Sequence, residues 1–245
     1  MRRLGILSGF FALAMLVGSG IGLASPILVI QQGTSIVTVS GTPDGLVSFN
    51  GTVGTYDINL TVGFTSATLY EIDMDLNSFD ATIRNSAGDS VGGLLTITLA
   101  ESGFEFPSQV GNVGAFGAVG GTAPANSTVT FQSWVNPDNA PLGSGGVIPA
   151  GSLAVYAPVV TVTNSGSIPK AFSAEGQTWF APTGPFSLFS QATFDIGQFS
   201  SGSRTVSFDQ ELFVPVPEPI SLTLLGSGLF GMVAMRRRRL DRMVS

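Results

Sequence analysis

The sequence predicts an all-β protein, an antiparallel β-sandwich ectodomain with a jelly-roll-like arrangement among the forms open to it. Three observations carry that reading. Apolar and polar residues alternate with period two through the middle of the chain. Gly, Pro, Asn and Asp interrupt the alternation at short intervals. No strong amphipathic helix pattern occurs between Ser25 and Pro217.

Residues 35–40, SIVTVS, are the first strand candidate. Gly41-Thr42-Pro43-Asp44-Gly45 follows as a turn, because Pro43 presets φ and Gly45 permits positive φ. Alternation resumes at 46–49, Asn50-Gly51 reads as a turn, and 56–62 alternates again. Residues 68–76 are the most regular. Ile72, Met74 and Leu76 fall on one face and Glu71, Asp73 and Asp75 on the other. Segments 94–99, 128–134, 153–163, 186–196 and 204–214 complete a set of about nine or ten strands. The glycine-rich stretch 102–126 and the Pro/Gly-rich stretch 136–151 read as long irregular loops.

The chain has 245 residues, enough for one large β domain or two small ones, and a single domain is the simpler reading. The expected boundaries are a leader at 1–24, an ectodomain at 25–213 and a sorting tail at 214–245. Charged residues make up 11% of the chain, against about 25% in ordinary soluble domains. Between Ser25 and Val216 only Arg84, Lys170 and Arg204 face nine Asp and five Glu, a net charge of −11. A nucleic-acid partner needs clustered Lys and Arg, so that class is excluded. The absence of Cys and His removes disulfides, thiolate nucleophiles, Ser-His-Asp triads and imidazole zinc sites. No catalytic residue is assigned, and the protein reads as a non-enzyme.

The two ends carry the strongest signal. Arg2 and Arg3 precede an apolar run from Leu4 to Val17, then small residues up to Ala24. This is the pattern of a secretory signal peptide, with signal peptidase cutting between Ala24 and Ser25. At the other end Val214-Pro215-Val216-Pro217-Glu218-Pro219 is held extended by its three prolines. Ile220 to Met235 then runs without charge. As a helix it would span about 24 Å, short of a bilayer core of roughly 30 Å. Snorkelling Arg side chains make up part of the gap. Arg236, Arg237, Arg238 and Arg239 hold that end in the cytoplasm and leave the body across the inner membrane. A helix this short serves transient anchorage better than permanent anchorage; a single-pass tail anchor is the other reading.

Box, helix and Arg cluster in this order resemble the PEP-CTERM sorting signal of Gram-negative bacteria. The box is Val216, Pro217, Glu218 and Pro219, the transmembrane helix 220–235 and the cluster Arg236–Arg239. The resemblance covers about a tenth of the chain. It implies recognition by an exosortase, loss of helix and cluster, and a cell-surface or extracellular destination, often in exopolysaccharide-producing, biofilm-forming bacteria. A structural or adhesive extracellular-matrix role is what the resemblance implies for the body.

Other motifs are weaker. Gly226-Ser227-Gly228-Leu229-Phe230-Gly231 matches GxGxxG inside the apolar tail, with no preceding strand, so it is no dinucleotide site. Asp73-x-Asp75-x-Asn77 opens like an EF-hand loop and then fails at Ser78 and Arg84. Glu71, Asp73 and Asp75 are either a solvated outer strand face or a surface calcium site completed by Asp80 or Asp89, and Ca²⁺ is the one cofactor left open. Trp134 and Trp179, with Phe180, Phe186 and Phe189, are core residues or a carbohydrate-binding face. The carbohydrate-binding module is the second functional reading, with exopolysaccharide as its partner. It requires at least two of Trp134, Trp179, Phe180 and Phe189 exposed on one surface. A carboxylate hydrolase is the third, and requires two facing acids in a cleft.

Overall fold

A computed structural model describes residues 25–68, 71–85, 91–106, 111–156, 159–199 and 201–216. The readings placed on 1–24 and 217–245, namely the leader, the Pro217–Pro219 part of the box, the helix and the Arg cluster, lie outside the described residues. No helix long and apolar enough to cross a membrane occurs among the described residues.

In chain order the strands are β1 (Ile27–Gln32), β2 (Ser35–Ser40), β3 (Leu46–Val53), β4 (Tyr56–Ala67) and β5 (Glu71–Asn85). Next come β6 (Val91–Phe104), β7 (Val113–Ala123), β8 (Ser127–Asn136) and the short β9 (Leu153–Ala154). The last four are β10 (Val160–Asn164), β11 (Lys170–Phe180), β12 (Phe186–Phe199) and β13 (Gly202–Pro215). They build two antiparallel sheets. The first runs β10-β8-β12-β6-β1-β2, with β9 also on β8; the second runs β11-β7-β13-β5-β4-β3. The pairs β5/β6, β7/β8 and β12/β13 each cross from one sheet to the other. The last pair returns to the centre, with β12 between β8 and β6 and β13 between β7 and β5.

The sheets pack face to face through phenylalanine. Phe208 on β13 lies 4.8 Å from Phe79 on β5, 5.1 Å from Phe131 on β8 and 5.4 Å from Phe194 on β12, measured between ring centroids. Phe79 and Phe194 stack across the gap at 5.8 Å with a 9° interplanar angle. One hydrophobic cluster extends from Leu28 to Val216. Alternation along the strands builds it. Ile72, Met74 and Leu76 point in, while Glu71, Asp73 and Asp75 point out, as the pattern predicts.

The structure corrects four boundaries. Asn50-Gly51 is not a turn: Asn50 pairs with Asn59 and Gly51 with Ile58 inside β3, and the chain reverses at Gly54, where φ is +60°. The segment 68–76 is not one strand, because β4 stops at Ala67 and Thr68 closes a corner onto Glu71 through both backbone and hydroxyl. The segment 153–163 divides into β9 and β10, because Val155 and Tyr156 turn into the core. The stretch 102–126 is not a long loop; β6 runs on to Phe104 and β7 occupies Val113–Ala123. β7 needs its glycines for close approach. Gly117 pairs with Gly176 of β11, and a Cβ on either would meet the Tyr156 ring at 2.9 Å or less. β1 and β11 are strands that the pattern did not single out.

The stretch predicted as a loop at 136–151 is one, leaving β8 at Asn136 and running on to Ser152, yet it is tied down. Asn139 Oδ1 accepts from Gly103 N at 2.7 Å and from the Ser187 hydroxyl at 3.1 Å. Asn136 Oδ1 accepts from Asp138 N at 3.0 Å and Ala140 N at 3.1 Å. At its 3-10 turn, Ser144–Gly146, a Cβ on Gly146 would lie 3.4 Å from Val29 and 3.3 Å from Thr98. Both of those face outward from the first sheet, so the loop sheathes that face.

One carboxyl breaks the apolar rule. Glu101 on β6 points between the sheets and is 3% exposed. The Thr65 hydroxyl donates to its Oε2, and Oε1 has no partner among the described residues. Burial pushes the carboxyl up to about 7, with the Thr65 bond working in the other direction. A folded-state value above the unfolded one, about 4.3, means folding favours the protonated form. That stability is fully present below pH ~4 and is lost as pH rises through about 7. Glu101→Gln is expected to raise stability by about 2 kcal/mol at pH ~8 and to leave it little changed at pH ~5. Thermal melts at the two pH values check this, and an equal effect at both would contradict it.

Candidate functional site

The outer face of the second sheet carries the surface chemistry. Register aligns the outward residues into rows across four strands. Asp75 of β5 lies beside Glu211 of β13, then Ala118 of β7, then Glu175 of β11. The next row along contains Asp209, Gly120 and Ser173. In the other direction come Asp73, Phe213, Phe116 and Gln177, and beyond them Gly114 beside Trp179. With Ala118 and Gly120 too small to rise above the sheet, the rows enclose a groove of about 690 Å³. Its walls are Asp75, Asn77, Asp209 and Glu211 on one side and Ser173 and Glu175 on the other. No basic side chain lines it.

A bulge shapes one end. Ser78 has φ of +54°, and its N–H donates to Asp209 Oδ1 at 2.6 Å, opposite the register shift between Phe208 and Gln210. The aromatic end is ordered: Phe116 and Phe213 stack at 5.3 Å and 19°, and Trp179 meets Phe116 edge-on at 6.5 Å. Crowding raises the acids. Asp73 is pushed up to about 7 by burial and then by Glu211, Asp75 and Glu71. Its Oδ1 is shielded from solvent and has no hydrogen-bond partner among the described residues. Asp75 is pushed up to about 6 by burial, then Glu211 and Asp209, against a 3.4 Å bond from the Asn77 amide. Both shifts have the sign of Glu101, so the fold loses stability as pH rises through the range about 4 to 7. A melting temperature higher at pH ~5 than at pH ~8 is the expected result, and the reverse order would refute it.

The sequence-predicted residues are only partly brought together. Glu71, Asp73 and Asp75 do share the outer face of β5, with Asp75 in the groove. Among the described residues no three acid groups converge closely enough to hold a metal ion. Asp80 lies past the bulge in a separate shallow dish with Asp57 and Arg84, whose Nε is 3.6 Å from Asp57. Asp89 lies outside the described residues. The aromatic set comes apart. Trp134 is half-buried on the outer face of the first sheet, beside Phe189, which is fully buried near the loop 136–152. Phe180 and Phe186 are core. Only Trp179, 59% exposed, presents a free ring, and on the opposite sheet from Trp134. Two exposed rings from that set on one surface are therefore absent, because outward position does not secure exposure where a loop covers the sheet. Asp75 and Glu211 stand side by side on one wall, and Glu175 stands opposite them across the Ala118 floor. Sequence reasoning passed over Asp209, Glu211 and Glu175. The first two alternate outward within 204–214 and were readable there; Glu175 sits on the strand that was missed.

β13 ends at Pro215, and Val216 is the last described residue, still 8% exposed against the core. The family signal begins at that point. Residues 215–239 match the PEP-CTERM protein-sorting motif. The match includes Val216, Pro217, Glu218 and Pro219 and all four of Arg236–Arg239. The PEP-CTERM motif marks the chain for export and exosortase processing and for a cell-surface or extracellular destination. No curated protein matches the sequence. Among solved structures, the chain is similar to the K3 cleaved adhesin domain of Lys-gingipain from Porphyromonas gingivalis, at 8% identity and TM-score 0.30 over 55% of this chain and 73% of that one. It is also similar to TmCBM61 in complex with beta-1,4-galactotriose, at 9% identity and TM-score 0.27 over 66% and 90%. A third is the isomalto-dextranase of Arthrobacter globiformis, at 14% and TM-score 0.26 over 78% and 30%. Similarity this slight assigns neither ligand nor activity.

Proposed function

We propose that the body is a non-enzymatic structural or adhesive protein of the cell surface or extracellular matrix, associated with exopolysaccharide or biofilm. The observation that carries this is the PEP-CTERM motif at 215–239, which starts on the last residue of β13. The winding of β5 to β13 is read as a jelly roll, with β1–β4 extending both sheets on one side. The whole body, 25–216, is read as one domain. Signal peptidase frees Ser25 from Ala24, the apolar segment 220–235 holds the chain in the inner membrane for a time, and the exosortase then removes helix and Arg cluster. Among the described residues the last strand ends at Pro215, ahead of the segment removed, so processing after the box is expected to leave the fold intact.

The test is peptide mass mapping of both termini on protein recovered from host membranes and medium. The expected product starts at Ser25, ends near Pro217–Pro219 and melts at the temperature of the unprocessed chain. Glu218→Ala, or replacement of Arg236–Arg239 by serine, is expected to leave full-length protein in the membrane. An intact wild-type chain that stays in the membrane would make the tail a permanent anchor and end this reading.

A further inference from the structure

The two outer faces of the sandwich differ in one respect that bears on partners. The loop 136–152 covers part of the first sheet's face. On the second sheet Asp209, Glu211, Glu175 and Trp179 are exposed. Its groove concentrates carboxylates from three strands and contains no base to balance them. Of the three basic residues between Ser25 and Val216, Arg84 is paired with Asp57, Arg204 lies 5.0 Å from the Phe199 ring, and Lys170 stands at the start of β11 opposite Ala123, so none of them lines the groove. The matching partner is therefore cationic.

Charge alone would accept any polycation, but the face has a second half. Trp179 lies two outward steps along β11 from Glu175, about 13 Å away, and its ring is held edge-on to Phe116 rather than buried. An exposed flat ring covers the apolar face of a pyranose. Gln177 stands between Glu175 and the ring, and Ser173 flanks Glu175 on the other side; both offer donors and acceptors to hydroxyl groups. An amino-sugar ring uses both halves at once: its ammonium meets the carboxylate row and its apolar face meets the indole.

We propose that the outer face of the second sheet is a docking surface for a cationic polysaccharide built of amino sugars. The polymer lies across β13, β7 and β11. Asp209, Glu211 and Glu175 pair with its ammonium groups, and Trp179 stacks on a ring beyond them. The raised carboxyls of Asp73 and Asp75 fit this role, since a cation above them relieves the crowding of like charges. The inference goes beyond the proposed matrix role, and the two fail separately: binding is read on purified chain, the matrix role on where the cell sends it.

Calorimetric titration of the full chain in detergent, at about pH 6 and low salt, uses three probes: a glucosamine hexamer, its N-acetylated counterpart and hexalysine. The glucosamine hexamer is expected to bind, and the N-acetylated one to bind at least ~10-fold more weakly. Asp209→Asn with Glu211→Gln is expected to weaken glucosamine binding at least ~10-fold, and Trp179→Ala by a similar factor. Asp209 also holds the bulge at Ser78, so Glu211→Gln with Glu175→Gln provides a second acid variant that leaves the bulge untouched. Three results would overturn the proposal: no binding of the glucosamine hexamer; binding that ignores both acid variants; or hexalysine binding as tightly as glucosamine while Trp179→Ala changes neither. The last would show a general polyanion surface rather than a sugar site.

Discussion

Phe208→Ala is expected to lower stability by about 4 kcal/mol, the upper range for a buried aromatic. The reason lies in its position rather than its size alone. Phe208 touches rings on both sheets: Phe79 beside it in its own sheet, and Phe131 and Phe194 across the gap. Truncation removes three ring–ring contacts, each worth roughly 0.5–1.5 kcal/mol beyond burial, and opens a cavity where the two sheets meet. Neighbouring rings on paired strands have little room to collapse into it. For a domain of this size the melting temperature should fall by about 10 °C. Trp179→Ala supplies the contrast: at 59% exposure it buries little, and its melting temperature should stay within about 2 °C of wild type. Equal losses from both variants would mean that the cluster at Phe208 is not the centre of the fold.

The aromatic core and the sorting tail were legible for opposite reasons. β13, and β5 on either side of its bulge, alternate cleanly, because each has one face on the core and one outside it, and period two is the direct image of that arrangement. The tail was legible without any folding argument, since proline box, apolar run and Arg cluster are read in linear order. The groove was harder. Its floor belongs to β7, whose outward side is Gly114, Phe116, Ala118, Gly120 and Thr122. Small residues there leave no alternation to detect. One wall belongs to β11, a sheet edge where Glu175 and Gln177 sit outward and Ala174 and Gly176 inward, so both faces look polar or small. Asp75, Glu211 and Glu175 come together only through pairings of strands far apart in the chain, and a local pattern does not encode such pairings. The choice between core and exposed ring for Trp134 and Phe189 was illegible for the same reason. Their outward position follows from register, but whether a loop covers them depends on Asn139 finding Gly103 and Ser187.

Gly121→Ala is expected to cost about 3 kcal/mol, although the stretch around it has the composition of a mobile loop. Gly121 pairs with Phe208, and an added Cβ would run into the Ser207 carbonyl oxygen and lie 2.8 Å from Phe208 Cα. Both obstacles are backbone of the central strand β13, which is itself held on its other side by β5. Neither can rotate away as a flexible side chain would, so β7 must separate from β13 or the ladder must bend. The displacement reaches Phe208 and with it the ring cluster. Gly111 is the internal control. It lies in the same glycine-rich stretch, two residues before β7, and a Cβ there meets nothing within 4 Å. Gly111→Ala should therefore change stability by no more than about 0.5 kcal/mol. The pair separates two accounts of one composition. If the glycines serve loop flexibility, the two substitutions act alike. If those of β7 are there because another backbone passes too close for a methyl group, only Gly121→Ala is destabilising, and thermal melts of the two variants under identical conditions decide between them.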